Sequence, residues 1–198
     1  MDDTIAAIST PYGEGGIGII RISGELAGEI LSNLFVPAAK IGVNGTNRML
    51  RYGTIADPKT GQVVDEVLAT LMKAPHTYTR EDVAEIHCHG SVVALRNVLK
   101  LVLQHGARLA EAGEFTKRAF LNGRLDLSQA EAVIDMIQAK TEKGFEVAVG
   151  QLEGKLSHKV SELRTGLLDI LVEMTVNIDY PEQDIEEILY GRLIECLS

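Results

Sequence analysis

Basic residues are scarce in this sequence. Lys and Arg number 19 against 28 Asp and Glu, giving a formal net charge of −9. That balance works against a surface that grips nucleic acid everywhere, because phosphate binding uses Lys and Arg to displace condensed counterions. A local basic patch is still allowed; Lys117, Arg118 and Arg124 make the best one, though an ordinary solvated face is the simpler reading of them. Cysteine is nearly absent as well. Cys88 and Cys196 stand far apart in unlike contexts, which argues against a disulfide framework and for free thiols in a reducing cytoplasm. No run of ~18 apolar residues occurs, so no membrane span is expected. The opening MDDTIAAIST puts acid where a signal peptide needs positive charge, and no export is expected. A G-x-x-x-x-G-K-S/T loop is missing too: Gly154-Lys155 has neither the upstream glycine at the right spacing nor the following hydroxyl, so GTP or ATP hydrolysis through a P-loop is excluded for these residues.

What is present fits one α/β domain followed by something smaller, since 198 residues exceed what a single small domain needs. The first ~125 residues read as short strands alternating with two helices. TIAAIST (4–10) and GIIRIS (18–23) are β-branched runs joined by PYGEGGI, and AGEILSNLF (27–35) is a short amphipathic helix. MLRYGTIAD and VVDEVLATLMKA are strands split by the turn Asp57-Pro58-Lys59-Thr60-Gly61; VAEIHCH is another strand, and Ser91 to Gln104 a helix stopped near Gly106. From Ser128 the pattern becomes helical. Ser128-Gln129-Ala130-Glu131 fits a capping box, in which the Ser oxygen accepts from a backbone N–H while the Glu reaches back to the cap's own N–H. Phe145, Val149, Leu152, Leu156, Val160, Leu163, Leu167, Ile170, Met174 and Ile178 then recur at steps of three and four, the stripe of one very long helix. At ~1.5 Å per residue it would run roughly 50 Å. Pro181 restarts a last helix through Ile185, Ile188, Leu189 and Leu193. A stripe that long needs partners along its length, so the helical part is expected to be incomplete, or completed by another subunit.

Three stretches invite a chemical reading. Gly13-Glu14-Gly15-Gly16-Ile17-Gly18 satisfies G-x-G-x-x-G, but the dinucleotide motif aims a helix N-terminus at a pyrophosphate and here a strand follows; the glycines read as a flexible or closely approached loop. In VAEIHCHGS, strand alternation puts Glu85, His87 and His89 on one face and Ala84, Ile86 and Cys88 on the other. H-x-H supplies two metal ligands where zinc wants three or four, with Asp65, Glu66 or His76 as possible completions; a polar pocket wall or merely hydrogen-bonded histidines are the other readings. An ionised Glu85 accepts two parallel hydrogen bonds and so matches a flat ligand presenting adjacent N–H groups, such as a pterin or guanine ring, unless it pairs with an arginine such as Arg21. Arg124, before the capped helix, either pairs with Asp126 or faces the pocket and meets an anionic ligand.

Together TIAAISTPYGEGGIGIIRISG, EDVAEIHCHG, GEFTKRAFLNGRLDLSQAEAVIDMI and NIDYPEQDIEE closely resemble the N-terminal part of the MnmE (TrmE) family of tRNA modification GTPases, over nearly the whole chain. The resemblance implies residues 1–120 as a folate-binding and dimerisation domain, an α/β (α+β) fold similar to the tetrahydrofolate-binding domain of aminomethyltransferases. It implies residues 121–198 as part of an all-α helical domain, into which the family inserts a Ras-like GTPase domain that uses GTP, magnesium and potassium. The implied cofactor is 5-formyl- or 5,10-methylene-tetrahydrofolate, with contacts mapping onto Arg21, Glu85 and Arg124; no catalytic residue and no metal ligand is assigned. The implied partners are a second copy of the chain, a flavin-dependent modification enzyme of the MnmG (GidA) type, and tRNA, whose wobble uridine receives a carboxymethylaminomethyl-type group in the cytoplasm. Departures from the family pattern are Ser91 for a glycine and Ala112 for a proline, and the family's C-terminal Cys-x-Gly-Lys does not occur; Cys196 takes over none of its role. A dimerisation scaffold without folate binding is the alternative, and a His87/His89 metal enzyme a more distant one.

Overall fold

The structure, a computed structural model, describes residues 3–38 and 47–179. Contacts divide the chain into two compact units after Leu125. The first is a mixed sheet with helices: β1 (Thr4–Ile8), β2 (Gly15–Ser23), α1 (Ala27–Leu34), β3 (Phe35–Pro37), β4 (Arg51–Ala56), β5 (Val63–Met72), β6 (Val83–Gly90), α2 (Val92–Gln104), β7 (Ala107–Leu109) and α3 (Glu114–Leu121). Strand order is β3-β4-β5-β6-β2-β1-β7. Neighbours are antiparallel except β1 and β7, which run parallel. This is the expected α/β (α+β) unit, with three additions. β3 and β7 are three-residue edge strands too short to show a period, and α3 falls in a stretch read only as a connector.

Alternation along the strands makes the core. Ala6, Ile20, Ile22, Ala69, Leu71, Ala84, Ile86 and Cys88 share one sheet face, against Ile30, Leu31 and Leu34 of α1 and Leu95, Val98 and Val102 of α2. Each large aliphatic buried this way contributes about 1.5–3 kcal/mol. Cys88 is 3 % exposed in that layer, and burial pushes its thiol up to about 12. Gly13, at φ +148, lies in the loop before β2, while Gly15, Gly16 and Gly18 belong to β2 itself. Backbones pass so closely there that a Cβ on Gly90 would lie 2.2 Å from the Gly15 carbonyl oxygen, so only glycine fits. The opposite face of the sheet carries Arg21, Ser23, Glu85 and Thr70.

The second unit contains α4 (Leu127–Gln138), α5 (Glu142–Leu152) and α6 (Lys155–Asp179). Its first helix starts earlier than expected. The cap is Asp126, whose carboxylate accepts from Gln129 N at 2.8 Å while the Gln129 side chain accepts from Asp126 N at 3.0 Å, a capping box two residues ahead of Ser128/Glu131. The single long helix is likewise corrected to two. Gly154 takes φ +85, a left-handed conformation that ends α5 and that glycine alone adopts without strain. Leu152 and Leu156 remain four apart across the break, so the apolar period runs on while the backbone does not. α6, at 25 residues, is roughly 38 Å long. Along it Leu156, Val160, Leu163, Leu167 and Met174 are all more than two-fifths exposed. The expected final helix from Pro181, and Cys196, lie outside the described residues. Among the described residues no helix is long and apolar enough to cross a membrane.

Candidate functional site

Register on the outer face of the sheet builds the site. Ala7 of β1 lies opposite Arg21 of β2, Arg21 opposite Glu85 of β6, and Glu85 opposite Thr70 of β5, a straight row across four strands. Directly opposed side chains sit on one face within ~5 Å at Cβ, so the row forces Arg21 and Glu85 together. Arg21 Nε and Nη2 both donate to Glu85 Oε1, at 2.9 and 2.8 Å. The other oxygen, Oε2, has only His87 Nε2 at 3.4 Å, too long for a strong bond. Glu85 therefore pairs with Arg21, as one of the sequence readings had it, and keeps acceptor capacity on its second oxygen. Thr70 is 7 % exposed, and its Oγ1 has no hydrogen-bond partner among the described residues. A buried hydroxyl left unpaired costs about 1–3 kcal/mol.

Arg124 reaches the same place from the turn after α3. Its guanidinium lies 4.6 Å from the ring centroid of Tyr78, and that of Arg21 lies 5.6 Å from the same ring and 5.8 Å from Phe115. Two cations thus gather at one aromatic ring, each within cation–π range. Among the described residues no carboxylate lies within ion-pair distance of Arg124; the Asp126 carboxylate is taken by Gln129 N and by Ser157 Oγ at 2.6 Å. The structure brings Arg21 and Arg124 to the Tyr78 ring, with Glu85 joined to Arg21. Neither Tyr78 nor Phe115 was legible as a site residue, for both sit in segments with no periodic signal.

The supposed basic patch of Lys117, Arg118 and Arg124 does not exist as one surface. Arg118 is 1 % exposed, turned into the unit, with Nη2 on Asp3 Oδ1 at 2.7 Å and on Glu114 Oε1 at 3.3 Å, and Nη1 on Glu81 Oε1 at 3.1 Å. Arg108 joins it, bonding Asp3 Oδ2 at 2.6 Å and both Glu114 oxygens, at 2.5 and 2.9 Å. The Arg108 guanidinium holds the Glu114 carboxyl down at about 2, well below the ordinary 4.5, against the opposing pull of burial. Removing one member of such a network strands a buried charge, which is why a residue type that defaults to solvent is interior here.

The histidines do not converge. His89, two-thirds exposed, bonds Asp65 Oδ1 through Nδ1 at 2.7 Å, and that hydrogen bond raises its pKa. His87 faces Glu85 instead, and Glu66 accepts from Tyr52 OH at 2.7 Å. Among the described residues no group of three or more His, Cys, Asp or Glu side chains could hold a metal, so the H-x-H metal centre gives way to two separate hydrogen-bonded pairs. Two concavities are found elsewhere. One of about 530 Å³ lies between α4 and α5, lined by Asp135, Thr141 and Gln151 among others, and one of about 360 Å³ between the β4–β5 turn and α2, lined by Gln62, Asn97 and Lys100 among others. Neither is lined by Arg21, Glu85 or Arg124. The charged row, not either hollow, carries recognisable ligand chemistry.

Comparison with known proteins agrees with this division. The family described as GTP-binding protein TrmE N-terminus matches residues 4–124, and the MnmE helical domain matches residues 127–198. Similar curated proteins are the tRNA modification GTPases MnmE of Alkaliphilus oremlandii, 56 % identical over 195 residues, and of Geobacillus kaustophilus, 57 % identical over 193. The first alignment covers 98 % of this chain and the second 97 %, and each covers 42 % of the relative. The MnmE of Lactiplantibacillus plantarum is 56 % identical over 193 residues, covering 98 % of this chain and 41 % of that protein. The chain thus spans about two-fifths of the length of the curated relatives it matches.

Proposed function

From the premise that the chain belongs to the MnmE (TrmE) family, we propose that residues 1–120 form the folate-binding and dimerising part of a tRNA-modifying GTPase, and residues 121–198 part of its helical domain. The ligand is 5-formyl- or 5,10-methylene-tetrahydrofolate, which supplies a one-carbon unit when bound; the residues that hold it are Arg21, Glu85 and Arg124. One observation carries this reading: Arg21 and Arg124 meet at the Tyr78 ring while Glu85 stands beside Arg21 with an oxygen to spare.

The donor set suits the ligand. A pterin edge presents adjacent N–H groups, which a carboxylate accepts, and the spare acceptor capacity of Glu85 Oε2 supports this reading. Two guanidinium groups beside a single carboxylate, Glu85, which pairs with Arg21, leave net positive charge for the glutamate tail of a folate. The unpartnered Thr70 hydroxyl, on the same row as Glu85, is a polar atom that a bound heterocycle would satisfy.

In the complete protein the same reading adds a GTPase domain using GTP, magnesium and potassium, a flavin-dependent partner of the MnmG type, and tRNA, at whose wobble uridine a carboxymethylaminomethyl-type group is installed in the cytoplasm. Dimerisation has apolar surface to use. Ile17, Leu68 and Tyr52 are 66 %, 41 % and 54 % exposed and lie on the face that carries Glu85. One detail favours the scaffold alternative, namely that Arg21 occupies Glu85 Oε1. Titration calorimetry with 5-formyl-tetrahydrofolate separates the two. Folate binding predicts saturable heat that disappears in Glu85→Ala, whereas a dimer by sedimentation with no such heat leaves only the scaffold.

A further inference from the structure

Tyr78 does not hang free at the site; every residue of its segment is fastened. Thr77 Oγ1 donates to the Glu81 carbonyl at 2.6 Å, closing the segment on itself. The Tyr78 hydroxyl meets Thr116 Oγ1 of α3 at 2.9 Å. Thr79, fully buried, shares a 2.6 Å hydrogen bond with Ser23 Oγ, and its carbonyl accepts from Asn122 Nδ2 at 2.6 Å. Arg80 Nη1 donates to the Asn122 carbonyl at 2.9 Å. Glu81 takes the most, with Arg118 Nη1 at 3.1 and 3.2 Å from its two oxygens and Ser23 Oγ at 2.7 Å from Oε2.

Arg118 is the largest fully buried side chain among the described residues. Burying an ion pair is expensive, and an apolar pair of similar volume would often stabilise a fold as well or better. What Arg118 and Glu81 add is direction. Their bond ties the Tyr78 segment to α3, and α3 carries Phe115, the second ring against Arg21, three residues from Arg118 on neighbouring helical positions. Tyr78 is thus tied to α3 twice, through its own hydroxyl and through the Glu81–Arg118 bond, whose arginine is 1 % exposed and whose glutamate is 17 % exposed.

We propose that Tyr78 is a stacking wall of the ligand site and that the pair of buried Arg118 and partly exposed Glu81 is the positioning clamp that holds it there, an inference that rests on the folate reading above. A flat heterocycle lying along the Arg21–Glu85 row stacks on the phenol ring, and it does so only while the clamp fixes the ring's place. Arg118 and Glu81 act through Tyr78 and touch no ligand.

A double-mutant cycle in affinity for 5-formyl-tetrahydrofolate tests this, with the melting temperature of the ligand-free protein measured alongside. Tyr78→Ala is expected to weaken binding about tenfold or more, as loss of an aromatic stacking partner does for a flat base, while Tyr78→Phe keeps most of the affinity. Glu81→Gln is expected to weaken it several-fold, and Glu81→Gln added to Tyr78→Ala to cause no further loss, because its effect passes through the ring. A fall in melting temperature for Glu81→Gln with unchanged affinity, or losses that simply add, would overturn the clamp. If Glu81→Gln does not fold, Ser23→Ala, which removes another bond to Glu81, takes its place in the cycle. Wild-type binding that survives in Tyr78→Ala but not in Glu85→Ala sinks this inference alone. No wild-type binding sinks the folate reading and this inference with it.

Discussion

Replacing Glu114 by Gln removes the charge at the centre of the buried network. The carboxylate accepts from Arg108 Nη1 and Nη2, from Arg118 Nη2 and from Glu111 N, and is 5 % exposed. Its pKa stands at about 2 instead of 4.5, with the Arg108 hydrogen bonds as the largest cause. Each unit of pKa is ~1.4 kcal/mol, so the ionised form contributes about 3 kcal/mol to folding. The sign follows from a depressed folded pKa. That stability is fully present above pH 4.5 and is lost as pH falls through about 2. Urea denaturation of wild type and Glu114→Gln across pH 2 to 7 reads it out. The variant is expected to be about 3 kcal/mol less stable at pH 7, or roughly 6–12 °C lower in melting temperature for a chain of this size. Its deficit relative to wild type should shrink steadily below pH 4.5. A constant difference between the two proteins at every pH would refute this account of Glu114, since it would mean that the charge does not carry the effect.

Three further outcomes are expected. Thr70→Val removes a buried hydroxyl that has no partner, so ligand-free stability should be unchanged or raised by up to about 1 kcal/mol, and a clear loss in thermal denaturation would show the hydroxyl already satisfied. Cys88, with its thiol pushed up to about 12 by burial, should resist a thiol reagent at pH 8 in a Cys196→Ser background until denaturant is added; rapid labelling of the folded protein would contradict its placement in the core. Asp126→Ala should cost about 1 kcal/mol through loss of the α4 cap, more if the Ser157 bond counts separately, and should leave folate affinity unaltered because Asp126 is spent on capping.

Strand parity was readable from VAEIHCH alone, since alternation is a local property. It placed Cys88 among aliphatics and Glu85 on the other face, and both positions hold. The partner of Glu85 was named only as an option, because Arg21 lies 64 residues away and cross-strand register is decided by packing. Arg118 departs from the exposed position its residue type suggests for a physical reason. Arginine defaults to solvent, and nothing in GEFTKRAF announces the three carboxylates from Asp3, Glu81 and Glu114 that make its burial tolerable. The helix break at Gly154 was masked by an apolar period that survives it, and the capping box was placed at Ser128 because Asp126–Gln129 and Ser128–Glu131 satisfy the same rule in overlapping frames. Tyr78 and Phe115 left no trace in the pattern. Their role depends on side chains from the β5–β6 segment and α3 meeting two arginines in space.

We propose a folate across the Arg21–Glu85 row, against Tyr78, with its anionic end toward Arg124. A crystal of this chain soaked with 5-formyl-tetrahydrofolate tests that most directly. Density with the pterin edge against Glu85 and the ring stacked on Tyr78 is expected. Density confined to the hollow between α4 and α5, or to the one beside α2, would contradict it.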